Sequence, residues 1–489
     1  GSGALAGTLT TDATGTTVVG TASGAAITSG AKNTAVGFQS GTAITTGSSN
    51  VALGYTALDA LTTGDNNIAI GDSALGGMTD TGDGGCDNNI AIGNDALLVA
   101  GTSSNVSHSN ISIGSDAGKA LSTGDENIFI GKGTGAATVD VDGAVIIGHG
   151  AGAANMTQGA DITIAIGYEA AKSLTTGGNN VAIGYQALKS TTTGAANICI
   201  GANTMSGFES SEGTSADSGS NIFIGHSAGS GDWVNAATQF NVGVGGAVMD
   251  AAMDGVTAST AMGYGALSAL TSGANNTMVG YAAGNSITTG AVNTCLGYDS
   301  DLTAADQNYA IAIGSSTTAA TNGIAIGTSV TAASNDFSFG KSSNVVKNDF
   351  DADADWARNS DERKKRNIEN ATLGLEFIND LRTVTYQWKP AEEHPEAWEA
   401  WHYEKDEDGN NVGDKIYDEM NTDAVMHGMI AQEVKAALDT AGVDTFKGWS
   451  LKDPENADGQ QLLSSGMFVF PLIKAVQELS AKVTALENA

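Results

Sequence analysis

The chain is dominated by an internal repeat in which each copy ends on a glycine. Asn50–Gly54 reads Asn-Val-Ala-Leu-Gly, and Asn67–Gly71 reads Asn-Ile-Ala-Ile-Gly. Nineteen copies align on this glycine. Ten of the eighteen spacings between them are 17 residues, as from Gly54 to Gly71. Such a period is typical of stacked supersecondary units, so it predicts the fold better than overall length does. The repeat glycines are Gly20, Gly37, Gly54, Gly71, Gly93, Gly114, Gly131, Gly148, Gly167, Gly184, Gly201, Gly225, Gly245, Gly263, Gly280, Gly297, Gly314, Gly327 and Gly340.

Each copy predicts one short strand between two tight corners. The β-branched run Ile-Ala-Ile favours extended backbone, but three residues cannot bury a face alone. Glycine supplies the positive φ that tight corners need, and a second glycine such as Gly64 or Gly177 often lies seven residues before the repeat glycine. We therefore expect a mainly β fold, a parallel β-roll or solenoid whose coils stack at about 4.8 Å into a rod of roughly 90 Å.

Stacking places like residues on like. Asparagine stands four residues before the repeat glycine in 12 of the 19 copies, so we expect a ladder whose amides bond to corner backbone groups. Ile, Val and Leu are expected to fill the lumen. The structural positions chosen as representative are Asn50, Gly54, Asn67, Gly71, Asn180 and Gly184.

A narrow coil leaves one apolar side uncovered, and copies of the chain arranged with cyclic symmetry about the rod axis would cover it. The Asn-x-Ala-Ile-Gly copies resemble the head repeats of trimeric autotransporter adhesins and similar repeats of bacteriophage tail fibres. The resemblance covers about residues 16–340 and implies a trimeric left-handed parallel β-roll. The adhesin repeat is shorter than the repeat of this chain, which leaves turn length and coil handedness open.

Composition divides the chain near residue 340. Residues 1–340 hold 58 of the 66 glycines, 5 Lys, no Arg and 25 acidic residues, whereas all four prolines and five of six tryptophans lie beyond them. We expect a rod over 1–340, an acidic neck or linker over 341–359, and a carboxy-terminal domain over 360–489. The net charge of −33 disfavours nucleic acid as a partner, and no apolar run is long enough for membrane insertion.

Several residues of the rod invite a more elaborate interpretation. Cys199 and Cys295 occupy the small central position of a strand, so we expect them in the core or at an interface. Trp233 is expected to pack under a loop, with sugar contact as the less favoured alternative. Neither the scattered histidines nor the aspartates after the repeat glycine have the spacing of a metal site, and no cofactor is predicted. The residues weighed here are His108, His149, His226, Asp72, Asp95 and Asp116.

The carboxy-terminal segment ends in a predicted coiled-coil helix. Val469, Leu472, Val476, Leu479, Val483 and Leu486 are spaced alternately by three and four positions, which is a heptad seam. We also expect a strand over 383–388 and a helix within 427–438. The expected fold class is thus a trimeric parallel β-roll rod followed by a small α+β domain that ends in a trimeric coiled coil.

Three motifs resemble the intramolecular chaperone of phage tailspikes, endosialidases and tail fibres, which is an auto-processing peptidase. They are Ser-Asp-x-Arg-x-Lys over 360–365, Gly-x-Ile-Ala-Gln-Glu over 428–433, and Leu-Ile-Lys-Ala-Val-Gln-Glu-Leu over 472–479. Lys364 departs from the pattern, since an apolar residue is common there, and 404–423 looks like an inserted loop.

The resemblance implies that the assembled chain cuts itself once, at Asn359–Ser360. Ser360 would attack the carbonyl of Asn359, with Lys365 as general base and His427 as a weaker candidate for a helper. Lysine must be neutral to act as a base, which burial or neighbouring cations would favour. Residues five apart on a strand face opposite sides, so a turn or a neighbouring chain must bring Ser360 and Lys365 together.

The favoured function is a structural and receptor-binding tail fibre of a phage virion, made in the host cytoplasm and acting outside the cell. Its expected partners are two further copies of itself, other tail proteins, and a host cell-surface receptor, with a polysaccharide as one candidate. The alternatives are a tailspike depolymerase, for which paired carboxylates or a groove of aromatics would be needed, and a bacterial trimeric surface adhesin. The adhesin is disfavoured because the final segment is a helix without a membrane anchor.

Overall fold

The computed structural model describes residues 1–77, 79, 86–98, 107–207, 218–233, 236–342, 344–350, 357–358, 365–390, 393–394, 401–405, 411–417, 422–453 and 459–489. The chain divides into two compact units, Gly1–Asn359 and Ser360–Ala489. Within the described ranges, no helix is both long and apolar enough to cross a membrane.

The first unit is a parallel β-solenoid in which each repeat forms one coil with one short strand. Successive strands pair in register, so that Ala52 lies beside Ala69. The predicted mainly β solenoid is therefore confirmed. Its strands, together with the 3-10 helix Gln158–Ala160, are β1 (Thr17–Val19), β2 (Thr34–Val36), β3 (Val51–Leu53), β4 (Ile68–Ile70), β5 (Ile90–Ile92), β6 (Ile111–Ile113), β7 (Ile128–Ile130), β8 (Val145–Ile147), β9 (Ile164–Ile166), β10 (Val181–Ile183), β11 (Ile198–Ile200), β12 (Ile222–Ile224), β13 (Val242–Val244), β14 (Thr260–Met262), β15 (Thr277–Val279), β16 (Thr294–Leu296), β17 (Asp301–Leu302), β18 (Ile311–Ile313), β19 (Thr318–Ala319), β20 (Ile324–Thr328), β21 (Thr331–Ala332), β22 (Asp336–Lys341), β23 (Asn344–Asp349) and β24 (Ala357–Arg358).

Glycine is required at the two corners of a coil for different physical reasons. Gly54 has φ +147°, and a Cβ added to it would lie 2.1 Å from the carbonyl oxygen of Gly71 in the next coil. Gly177, at the other corner, is outside the left-handed region, so the prediction of positive φ there is wrong. A side chain is excluded at Gly177 because its Cβ would lie 2.0 Å from the carbonyl oxygen of Gly194.

The coil shortens near the end of the rod. The last two repeat spacings, between Gly314, Gly327 and Gly340, are shorter than all the others, and there β17, β19 and β21 pair as a second parallel sheet. Beyond it, β23 pairs antiparallel with β22, so the beginning of the predicted neck continues the sheet instead of leaving it. An antiparallel strand at this position covers the open edge of the parallel stack.

The lumen is lined by the central residue of each strand, not by its flanking Ile, Val or Leu. Ala52 is fully buried, whereas Leu53 is 45% exposed. The expectation that Ile, Val and Leu fill the lumen is therefore wrong for the flanking residues of the strands, whereas residues outside the strands such as Leu58 and Ile27 are buried in the core as expected. Alternation along a three-residue strand must send two residues outward, and the coil is too narrow for two large side chains to point inward. Cys199 and Cys295 occupy the central position and are buried as predicted.

Side-chain sizes in the lumen compensate within several coils. In five coils an alanine at the strand centre is matched by a leucine six positions later, as for Ala52 and Leu58. Phe129 is matched by Gly135, where an added Cβ would lie 2.5 Å from the phenyl ring. Further pairs are Ala69 with Leu75, Ala91 with Leu97, Ala182 with Leu188, Ala261 with Leu267, Phe223 with Gly229 and Met278 with Gly284.

The second unit is a small α+β body whose core is formed by Phe377, Val434, Leu438 and Phe468. Phe446 stacks edge-on against Phe468, with ring centroids 5.2 Å apart. Its elements, with the 3-10 helix Ser465–Phe468, are α1 (Leu375–Asp380), β25 (Val384–Tyr386), β26 (Trp401–Lys405), β27 (Asn411–Tyr417), β28 (Met426–Gly428), α2 (Ala431–Ala441), β29 (Trp449–Leu451), β30 (Gln461–Leu463) and α3 (Val469–Glu487).

Candidate processing site and outer face of the rod

The predicted cleavage site is described only in part. Asn359 and Ser360 lie outside the described residues, so their distance to Lys365 stays untested. Lys365 is exposed on the single chain. The division between the two compact units falls at Asn359–Ser360, the bond that the sequence motif predicts to be cut.

His427 lies on a strand and not on the predicted helix, which begins only at Ala431. It pairs with Thr385 across the antiparallel strands β25 and β28. The imidazole is exposed and borders an open depression of about 640 Å³, together with Gly428 and Met429. The depression has room for a peptide segment, but nothing in the described residues places Lys365 beside it.

The second chaperone-like motif is held by a cation that sequence reasoning missed. The guanidinium of Arg382 donates to both carboxylate oxygens of Glu433, at 3.0 Å through Nε and by a shorter contact through Nη2. This pairing lowers the pKa of Glu433 and raises the pKa of Arg382. The two residues are far apart in the chain, so no local pattern in the sequence indicates the pair.

The last helix is anchored by one carboxylate and leaves its heptad seam uncovered. Oε2 of Glu478 accepts the backbone N–H of Leu375 at 2.8 Å, at the first residue of α1. That contact lowers the pKa of Glu478. On the opposite side of α3, the seam side chains are 45–77% exposed on the single chain. Such a seam is removed from water when the helix packs against another helix, as in a coiled coil.

We define the outer face of the rod as the residues one and three positions before each repeat glycine. These positions hold Val, Ile, Leu, Met, Thr or Phe in all 19 copies and never a charged residue. The side chains point away from the lumen, and several, including Leu53, Met262 and Leu296, are 45–47% exposed. Residues on a solvated face rarely avoid charge so consistently, and a long uncharged stripe of this kind is typical of an interaction surface.

Charged side chains on the rod form small networks at its corners. Glu169 accepts from Lys172 at 2.7 Å, Gln186 at 2.8 Å and Lys189 at 3.1 Å. Lys172 in particular lowers the pKa of Glu169 to about 2. Lys119 similarly bridges Asp95 and Asp116. No group of three or more His, Cys, Asp or Glu within the described ranges is placed to hold a metal ion.

The other rod residues considered as candidates for binding are engaged in packing or hydrogen bonds within the rod. Trp233 is buried and packs edge-on against Phe223, which confirms packing over exposure. Nδ1 of His108 accepts the backbone N–H of Asp87 at 3.2 Å, and His149 stacks on Tyr168.

Fold and surface together define a class of protein, a β-solenoid rod followed by a separate α+β unit that ends in a helix with an exposed heptad seam. Residues 360–443 match the family described as chaperone of endosialidase. The matched region begins at the boundary between the two units, and rod and chaperone domain together fit a protein of the tail-fibre or tailspike type. No curated protein and no solved structure matches the chain.

Proposed function

We propose that the protein is the shaft and receptor-binding part of a phage tail fibre, assembled as a homotrimer. The observation that carries this proposal is the chaperone-of-endosialidase match at 360–443, directly after a β-solenoid rod. A domain of that kind provides a template for assembly and is then removed. The same match would also suit a tailspike depolymerase, whereas the bacterial surface adhesin has no comparable support among the described residues.

Trimerisation accounts for two uncovered apolar surfaces at once. The outer face extends over 19 coils, and its area is on the order of 1,000 Å² per chain, which is within the range of a stable interface. The α3 seam supplies a second contact at the carboxy-terminal end. Long-range parallel pairing folds slowly, and near-identical repeats can slip in register, so a trimer formed first at α3 would align the three chains.

Assembly is also the step that would activate cleavage. The Oγ of Ser360 would attack the carbonyl carbon of Asn359 while Lys365 accepts the hydroxyl proton. Lys365 would return that proton to the peptide nitrogen, which leaves as the free amine of Ser360, and water would hydrolyse the resulting ester to give the carboxylate of Asn359 and the restored hydroxyl of Ser360. Because Lys365 is exposed on the single chain, the burial that would keep it neutral must come from the neighbouring chains.

Cleavage is tested on the full chain with Ser360→Ala, Lys365→Arg and the control Ser450→Ala. We expect wild type and the control to release the segment 360–489 as a separate band on a denaturing gel. Both motif variants should stay intact while still assembling, as measured by native mass. One full-length band for all four proteins would refute the self-cleavage.

Trimerisation is tested by charging the outer face. The double variant Leu53→Glu, Leu296→Glu places two carboxylates on it, and Asn94→Glu, Ser315→Glu places them at positions next to a repeat glycine, where charge already occurs. We expect three chains per particle for wild type and control in sedimentation equilibrium, and monomer or aggregate for the outer-face variant. A monomeric wild type would contradict the proposal.

A further inference from the structure

One aligned position of the rod is rich in exposed tyrosine. The residues that directly follow the repeat glycines lie above one another, and we call this set the aromatic column. It contains six of the chain's ten tyrosines. The rings of Tyr264 and Tyr281 stack at 5.7 Å, and those of Tyr281 and Tyr298 at 5.3 Å, with interplanar angles of 15° and 10°. All three rings are 52–59% exposed. Phe38 stacks on Tyr55, and His149, Tyr168 and Tyr185 form a second stack of three rings.

Contact between chains of a trimer does not account for these rings. The aromatic column also contains Asp72, Lys132 and His226, whereas the outer face beside it never contains a charged residue. Because this column contains acidic and basic residues, its side chains face water when neighbouring chains cover the outer face. Folding does not require the rings either, because coils with Ser115 or Ala202 at this position pair in the same register.

The surroundings of the Tyr264–Tyr281–Tyr298 stack select the chemistry of a ligand. The adjoining outer-face residues are uncharged, and Asp299, which follows Tyr298, is acidic. Residues 1–340 contain no arginine and five lysines, so the rod repels polyanions. Stacked parallel rings do not form the cage that encloses an ammonium group.

With polyanions and ammonium groups excluded as ligands, a neutral sugar chain fits the surroundings of the stack. Tyrosine offers an apolar ring and a hydroxyl together, which suits a sugar with its apolar face and its row of hydroxyls. Coils repeat at about 4.8 Å, close to the length of one sugar unit in an extended polysaccharide, so successive sugars would meet the exposed edges and hydroxyls of successive rings. At the end of the stack, Ser315 follows Tyr298 in the column, which leaves one face of that ring without a stacking partner in the column.

We propose that the Tyr264–Tyr281–Tyr298 stack binds a neutral, extended polysaccharide that lies along the rod. This proposal rests on the tail-fibre function and assigns the receptor contact to this stack. The binding is of moderate affinity and insensitive to salt, because no ion pair contributes to it.

The test compares wild type with the triple variant Y264S/Y281S/Y298S, in the full-length protein. Serine occurs naturally in this column at Ser115 and Ser315, so the coils should tolerate it. The matched control D72S/N94S/S115A changes three coils of the same column that carry no ring. Calorimetric probes are soluble linear oligomers of β-1,4-glucan, α-1,4-glucan, β-1,4-mannan and β-1,4-galactan, with polysialic acid as the anionic probe.

We expect wild type and control to bind at least one neutral oligomer equally at low and high salt, and the triple variant to bind it at least tenfold more weakly. Binding of polysialic acid alone, or equal binding by the triple variant, would overturn the proposal, as would no binding of any neutral oligomer. Native mass and cleavage are measured on the same samples. A cleaved trimer without glycan binding overturns this proposal only, whereas an uncleaved monomer overturns the proposed function.

Discussion

The side-chain oxygen of Asn67 accepts the backbone N–H of Asn89, one coil further along the rod, at 3.0 Å. Asn67 itself donates from Nδ2 to the carbonyl oxygen of Cys86 at 2.7 Å, and its own N–H bonds to Asn50. Each asparagine therefore satisfies a buried N–H and a buried carbonyl in the next coil, where the chain turns and no strand partner is available. The ladder holds successive coils together at a corner.

Removing one asparagine of the ladder should destabilise the rod measurably. Asn67→Ala leaves the N–H of Asn89 and the carbonyl of Cys86 buried without these partners, at a cost of about 3 kcal/mol. The change is measured as a fall in the midpoint of thermal unfolding by circular dichroism. Asp65→Ala is the matched control, because the exposed Asp65 carboxylate accepts the N–H of Ser48, which water can replace. Equal effects of the two variants would contradict the role of the ladder.

The repeat glycines are predicted to be irreplaceable, unlike other glycines of the rod that also have positive φ. In Gly71→Ala the new methyl group would lie 2.4 Å from the carbonyl oxygen of Gly93, on a backbone with φ +137°. Gly265 also has positive φ, +66°, but a Cβ there meets nothing within 4 Å. We expect Gly265→Ala to cost about 1–2 kcal/mol from strain alone, and Gly71→Ala to separate the coils.

Thermal unfolding and protease digestion of both glycine variants check this difference. Gly71→Ala should expose the chain near residues 71–93 to early cleavage, while Gly265→Ala should melt only slightly below wild type. If the two variants behaved alike, the repeat glycine would be required for its backbone conformation and not for the close approach of neighbouring coils.

The period of the sequence was sufficient to predict a stacked parallel solenoid, but not which strand residues enter it. In Ile-Ala-Ile, alternation separates the two isoleucines from the alanine whichever side is interior. Hydrophobicity favours isoleucine inside, whereas coil width requires the smaller residue there. Width depends on how the corners close, and the left-handed residues such as Leu58 and Asn66 that close them are not marked by glycine.

The carboxy-terminal unit was predictable through its motifs and not through its contacts. The Ser-Asp-x-Arg-x-Lys and Gly-x-Ile-Ala-Gln-Glu runs indicate the domain that the family match places at 360–443. The contact from Glu478 to Leu375 joins two distant parts of the chain, and nothing in a single sequence singles out that glutamate from its neighbours. The aromatic column, in contrast, can be found in the sequence once the repeat glycines have been aligned.

Size compensation in the lumen predicts that two harmful substitutions repair each other. Phe129→Ala should cost about 3–5 kcal/mol through the cavity it leaves. Gly135→Leu should be as damaging, because its side chain would overlap the ring of Phe129. Together they reproduce the Ala52 and Leu58 pair, whose leucine has φ +55° against +58° at Gly135.

The double variant should therefore recover at least half of the summed loss in unfolding midpoint. A double-mutant cycle measures this coupling, with Phe129→Ala combined with Leu188→Ala, in a separate coil, as the pair expected to be additive. Additivity of Phe129→Ala and Gly135→Leu would show that the two positions do not share one space.

The Glu169 network predicts a loss of rod stability in acid. Its folded pKa is about 2, below the ordinary value of 4.5, so the carboxylate stabilises the rod above pH 4.5. That contribution declines as the pH falls from about 4.5 and is lost once the pH passes through the folded value near 2. Glu169→Gln should melt earlier than wild type at pH 7 and at nearly the same temperature at pH 2. Glu126→Gln, at an exposed glutamate of another coil, serves as the control and should follow wild type across the range. A constant difference between Glu169→Gln and wild type from pH 7 to pH 2 would mean that packing of the side chain, and not its charge, provides the stabilisation.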